Sequence, residues 1–117
     1  MSFMFENLLV YQKSVDLAEK ISNHTDTFPK GNYYLIDQIN RASLSIAANI
    51  AEGNGRFHKG DRKQFFYISR GSTHECVPLI EVAKRKNLIP GDKAIEIKNE
   101  LEVIAKMLSG LIKGLDS

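Results

Sequence analysis

Apolar side chains recur along this chain at steps of three and four residues, in four runs separated by three turn-rich breaks. That spacing is the period of an α-helix with one buried face. The first run spans about Asn7 to Asp26 and places Leu8, Tyr11, Ser14, Ala18, Ile21 and Thr25 on one side. Phe28-Pro29-Lys30-Gly31-Asn32 then ends it with residues that favour turns. The second runs from about Tyr33 to Gly53, with Leu35, Ile39, Ala42, Ile46 and Ile50 as its apolar stripe. Gly53-Asn54-Gly55 reads as its stop, because glycine enters the left-handed conformation without steric cost.

The third run starts near Asp61, read as an N-cap, and reaches about Lys86. It carries two adjacent stripes: Phe65, Ile68, Ser72, Glu75, Leu79 and Val82, and beside them Phe66, Ser69, Thr73, Cys76, Ile80 and Ala83. Pro78 removes the hydrogen bond to the His74 carbonyl, so a kink is expected there rather than an end. Leu88-Ile89-Pro90-Gly91 breaks the chain, and Asp92 is read as the cap of the last helix. There Ala94, Ile97, Leu101, Ile104, Leu108, Leu111 and Leu115 form a seam resembling that of a coiled coil. Four rods of ~20 to 26 residues joined by short breaks are expected to close into an all-α, antiparallel, up-down-up-down four-helix bundle. The whole of 1–117 reads as one domain.

Composition agrees with this picture and narrows the chemistry. Hydrophobic residues make up 43% of the chain and charged residues 26%, which supplies one core and argues against disorder. One cysteine, Cys76, excludes an internal disulfide and points to a reducing, cytoplasmic setting. Phe3, Met4 and Phe5 are followed by Glu6 and Asn7, so no signal peptide is expected, and no membrane span is visible.

Catalytic and metal motifs are missing. Gly53-Asn54-Gly55 follows a helix rather than a strand, unlike a nucleotide-binding loop. His74-Glu75 has Pro78 where a zinc helix would place its second histidine, and His24 and His58 have no ligand at metal spacing. No cofactor is expected, and Cys76 reads as a buried, inert thiol.

Three features remain. Gln38, Arg41, Ser45, Asn49 and Glu52 form a polar stripe beside the seam of the second helix. Opposite, Gly71, Ser72 and Glu75 on the third helix are expected to permit close approach and to pair Arg41 with Glu75 or Glu52. The stripe reads either as a polar network fixing helix register or as a partner surface. Arg56, Lys59, Arg62 and Lys63, with Phe57 and His58 among them, make the connection between helices two and three basic despite a formal net charge of only +2. Lys84-Arg85-Lys86 forms a second cluster at the far end of the third helix. Such clusters either keep the protein soluble or, repeated around an oligomer, make a phosphate-binding field. Finally, the apolar material, including Phe3, Phe5, Phe57, Phe65, Phe66 and Tyr67, exceeds the need of one narrow seam; a subunit interface is expected to take the surplus.

Phe5-x-x-Leu8-x-Val10-Tyr11-Gln12-Lys13 and Phe28-Pro29 resemble the opening of the bacterial four-helix-bundle family of 23S rRNA-intervening-sequence proteins. Gln38-Ile39-x-Arg41-Ala42-x-x-Ser45-Ile46-x-x-Asn49-Ile50-Ala51-Glu52-Gly53, with Gly55-Arg56, carries the strongest likeness. Gly71-Ser72-x-x-Glu75 and Met107-Leu108-x-Gly110-Leu111-Ile112 extend it over nearly the whole chain. Tyr11 stands where the family often has tryptophan, and Ala47 where it often has proline, which should leave the second helix straighter. The resemblance implies a cytosolic bundle that assembles as a homopentamer. A further likeness, to the accessory proteins of diversity-generating retroelements, implies binding of RNA or a ribonucleoprotein. The expected function is therefore a non-enzymatic homo-oligomer that binds RNA, with Arg41, Arg56, Lys59, Arg62 and Lys63 on phosphates. Gln38, Ser45, Asn49, Glu52, Ser72 and Glu75 would hold the helices or form the partner surface. The alternatives are a structural adaptor for another protein and, last, an enzyme using Glu52 or Glu75.

Overall fold

A computed structural model describes residues 3–116. A short 3-10 helix, Met4–Asn7, leads into α1 (Leu9–Thr25), α2 (Tyr33–Asn54), α3 (Lys59–Arg85) and α4 (Gly91–Gly114). Each helix packs closely against two others, in the cycle α1, α2, α3, α4 and back to α1, while the diagonal pairs face each other across the core. With short links between consecutive rods, this is the up-down-up-down bundle that the hydrophobic spacing requires. The molecule measures 45 × 28 × 21 Å, its long axis set by the rods.

The core follows the apolar stripes closely. Leu35, Ile39, Ala42, Ile46 and Ile50 of α2 are all buried, as are Ala94, Ile97, Leu101, Ile104 and Leu108 of α4. Of the two stripes on α3, the one from Phe66 through Ser69, Thr73, Cys76 and Ile80 to Ala83 is buried entirely. The other is covered only in part: Ser72 is buried, Phe65, Glu75 and Leu79 are half-buried, and Ile68 (44%) and Val82 (45%) are exposed. α3 also runs unbroken through Pro78, which lies on the solvent side, so the carbonyl it leaves unpaired is not sealed in the core.

The helix ends differ from expectation in physically informative ways. Asp61 and Asp92 are not caps. α3 begins two residues before Asp61, with His58 in the cap position, and α4 begins at Gly91 after Pro90. Both carboxylates instead sit in the first turn, where the positive end of the helix dipole stabilises them. Gly53-Asn54-Gly55 is not a left-handed stop either: α2 continues through Asn54, and Gly55 is right-handed with φ −80°. The left-handed residues are Gly31 (φ 97°) and Asn87 (φ 60°). Asn87 closes α3 with paired bonds from its own N–H to the Lys84 carbonyl and from Leu88 N–H to the Ala83 carbonyl.

Gly53 has another purpose. It is buried, and a Cβ there would lie 2.8 Å from Phe66 Cε1 and 3.0 Å from Phe65 Cβ. Its missing side chain is what lets the end of α2 close against the start of α3. Gly71, by contrast, brings nothing together within the chain, since a Cβ there would meet no atom within 4 Å. The expectation that Gly71 eases the α2–α3 approach is therefore overturned.

Candidate functional site

α2 and α3 lie side by side, and the polar stripe runs along the groove between them. Arg41 donates through Nη2 to Glu75 across the groove and, at 2.9 Å, to Gln38 Oε1 one turn back. One turn onward, Ser45 Oγ and Ser72 Oγ share a hydrogen bond of 2.9 Å. Asn49 Nδ2 donates to both the carbonyl and the hydroxyl of Ser45, at 2.8 and 2.9 Å. Beneath this line Ser69 Oγ donates to the Ile46 carbonyl, a buried cross-helix bond of 2.8 Å. Gln38, Arg41, Ser45, Asn49, Ser72 and Glu75 thus form a hydrogen-bonded seam along the α2–α3 groove. Glu52 is not part of it, being ion-paired with Arg56 at 3.1 Å.

The outer border of this seam is apolar. Ile68, Leu79 and Val82 flank it on α3, while Tyr34 (79% exposed) and Leu44 (61%) stand on the outward side of α2. Ala48 and Gly71 add small, exposed positions between them. Leu44 was invisible to stripe reading, because it interrupts the polar side of α2 rather than extending an apolar run. The result is one broad face on which apolar side chains border polar groups already paired within the chain.

The basic residues separate into three places. Arg41 lies fifteen residues before Arg56 on the chain, roughly 22 Å along the helix, and belongs to the polar seam. Arg56, Lys59, Arg62 and Lys63 gather where α2 turns into α3, as their spacing requires. Their charge is partly spent inside the chain, since Arg56 pairs with Glu52 and rests 4.7 Å over the Phe65 ring. Lys63 reaches Asp116 after α4, and that hydrogen bond raises its ammonium above the ordinary lysine value. Arg62 is half-buried with no partner at Nε, and Lys59 is exposed. Phe57 projects among them with 91% of its surface in solvent. Lys84, Arg85 and Lys86 lie at the other end of α3, away from this cluster.

The remaining concavities lie along the outsides of the rods. One of about 430 Å³ lies between α1 and α4, lined by Lys13, Asp16, Lys20, Asn99, Glu100 and Val103 among others. Lys20 bridges Glu96 at 2.9 Å and Glu100 at 2.6 Å there, and the two acceptors raise its pKa. Another, about 470 Å³, opens between Phe3 and Phe5 and the end of α2, where Glu52 and Arg56 line it. Glu52 and Glu75, the carboxylates that an enzyme would use, are each held in a surface ion pair. Among the described residues, no cluster of three or more His, Cys, Asp or Glu side chains could hold a metal ion. Nor is any described helix long and apolar enough to cross a membrane. Cys76 is buried, and desolvation pushes its thiol up to about 12, which leaves it a weak nucleophile.

The same architecture occurs in the crystal structure of a protein of unknown function from the S23 ribosomal protein family of Bacteroides thetaiotaomicron. The two chains are 26% identical and superpose with a TM-score of 0.83, over 90% of this chain and 99% of that one. No curated protein matches the sequence. Residues 6–110, spanning the end of the 3-10 helix to the last turns of α4, match the model of the 23S rRNA-intervening sequence proteins. The chain belongs to that family.

Proposed function

We propose that this chain is a non-enzymatic binding protein of the cytoplasm that self-associates and takes RNA or a ribonucleoprotein as its ligand. The observation that carries the self-association is the α2–α3 face. Ile68, Val82, Leu44 and Tyr34 remain exposed beside polar groups that already satisfy one another. Burial of such a face gains from each apolar side chain and is opposed by desolvation of the Arg41–Glu75 pair, whose partners remain bonded to each other. Gly71 supports the same reading. A glycine in a helix interior costs about 1 kcal/mol relative to alanine, and nothing within the chain uses the space. A second helix approaching α3 closely would use it.

The RNA half of the reading rests on the basic residues of the α2–α3 turn. A homopentameric ring is the assembly we expect, and it would repeat Arg56, Lys59, Arg62 and Lys63 five times around an axis. Repetition compensates for a cluster that Glu52, Asp61 and Asp116 leave only mildly positive on one protomer. Titration with structured RNA at two salt concentrations tests it. Affinity should fall steeply as salt rises, and neutralising the four basic residues together should flatten that dependence. Salt-independent binding, or binding indifferent to the four changes, would remove RNA from the account.

The exposed apolar border of the α2–α3 face also suits a structural adaptor that recruits another protein without nucleic acid. Affinity capture with and without nuclease separates the two readings: partners that survive nuclease treatment favour the adaptor.

A further inference from the structure

Phe57 is the most exposed large apolar side chain of the described residues, at 91%. So exposed a phenylalanine forgoes the stabilisation that burial would give it. The ring is not on a loose tail. It sits in a short link between two long helices, with Arg56 N–H bonded to the Gly53 carbonyl on one side and Arg62 N–H to the His58 carbonyl on the other. Its ring contact is an edge-on one with His58, centroids 5.2 Å apart at 87°, which leaves most of the ring uncovered. Lys59 beside it is exposed, and the ion pairs of Arg56 and Lys63 are surface pairs of the kind that phosphate displaces at little cost.

An exposed aromatic ring on a short link, with Arg56 and Lys59 beside it in the chain, matches one ligand chemistry: a nucleobase for the ring and the flanking phosphates for the cations. In a duplex the base faces are already stacked on one another, so only an unpaired base can present a face to Phe57. We propose that Phe57 is a stacking platform for an unpaired base, and hence that the preferred RNA is single-stranded or looped rather than continuous duplex. This rests on the RNA-binding reading above.

The chain contains no tryptophan, so Phe57→Trp creates a single fluorescent reporter at the site. The experiment titrates the full chain, as wild type, Phe57→Trp and Phe57→Ala, with an oligouridylate and with an RNA duplex of equal length. Quenching of Phe57→Trp by the oligouridylate is expected, with a loss of about 5- to 150-fold in single-strand affinity for Phe57→Ala and no loss for duplex. Single-strand binding that Phe57→Ala leaves intact would overturn the stacking role while sparing the RNA reading. If wild type binds neither RNA, both fall. A blue-shifted, concentration-dependent Phe57→Trp emission without RNA would place the ring between copies of this chain, and would also overturn the inference.

Discussion

Gly53 and Gly71 lack a side chain for opposite reasons, and substitution separates them. Alanine at 53 gains helix propensity but drives its Cβ to 2.8 Å from the ring of Phe66, a buried neighbour. Overpacking should prevail, so Gly53→Ala is expected to destabilise the fold by about 1 to 3 kcal/mol. Alanine at 71 meets nothing, and in a dissociated protomer it should add about 1 kcal/mol. Urea denaturation of each variant measures both. Cys76 gives a third residue-level expectation. With its thiol buried and pushed up to about 12, it should react with a disulfide reagent only as fast as the protein opens. Rapid labelling under native conditions would mean that the α3 core stripe is loosely packed.

At the scale of elements, α3 and α4 are held at the surface by Glu81, which accepts from Lys98 across the groove and from Arg85 at 2.9 Å. These hydrogen bonds lower its carboxyl from 4.5 to about 2. The unfolded chain therefore binds this proton more readily than the folded one. Its contribution is present in full above pH 4.5 and is lost as pH falls toward 2. Glu96, lowered mainly by its hydrogen bond to Lys20, acts in the same direction between α1 and α4. Thermal melts in acid should show stability declining across that window, and Glu81→Gln should make the decline shallower. The elements themselves were legible in the sequence wherever one apolar stripe met one polar side, as in α2 and α4. α3 was less so: with two adjacent apolar stripes, only the positions of α2 and α4 decide which is covered. The helix starts were misread because aspartate suits both a cap and a first turn, and residue type alone does not separate the two. Gly53 was read as a stop for a similar reason, since a glycine that permits packing and one that permits a left-handed turn look alike in a sequence.

For the molecule as a whole, the polar seam could be anticipated from spacing on two helices, with Glu75 one of two partners foreseen for Arg41; the other, Glu52, pairs with Arg56 instead. Other cross-helix partners could not. Lys63 with Asp116 and Lys20 with Glu96 and Glu100 join residues far apart in the chain, and only the packed bundle brings them together. The surplus of apolar residues was also visible, but where it lies emerges only once the core has taken its share: Tyr34, Leu44, Ile68 and Val82 are exposed on the α2–α3 face, and Leu9, Val15, Ile95 and Val103 on α1 and α4. If the α2–α3 face joins copies, the melting temperature should rise with protein concentration. Placing a charge at Ile68 or Val82 should dissociate the assembly without unfolding the bundle, because both side chains already lie at the surface of one protomer. Light scattering coupled to gel filtration, on wild type and on the double variant Ile68→Lys, Val82→Lys, tests this most directly. Wild type should elute with a mass several times 13.2 kDa, five times for the ring, and the variant as a helical species of 13.2 kDa. A wild-type mass of 13.2 kDa, or a variant that assembles as wild type does, would contradict self-association through this face.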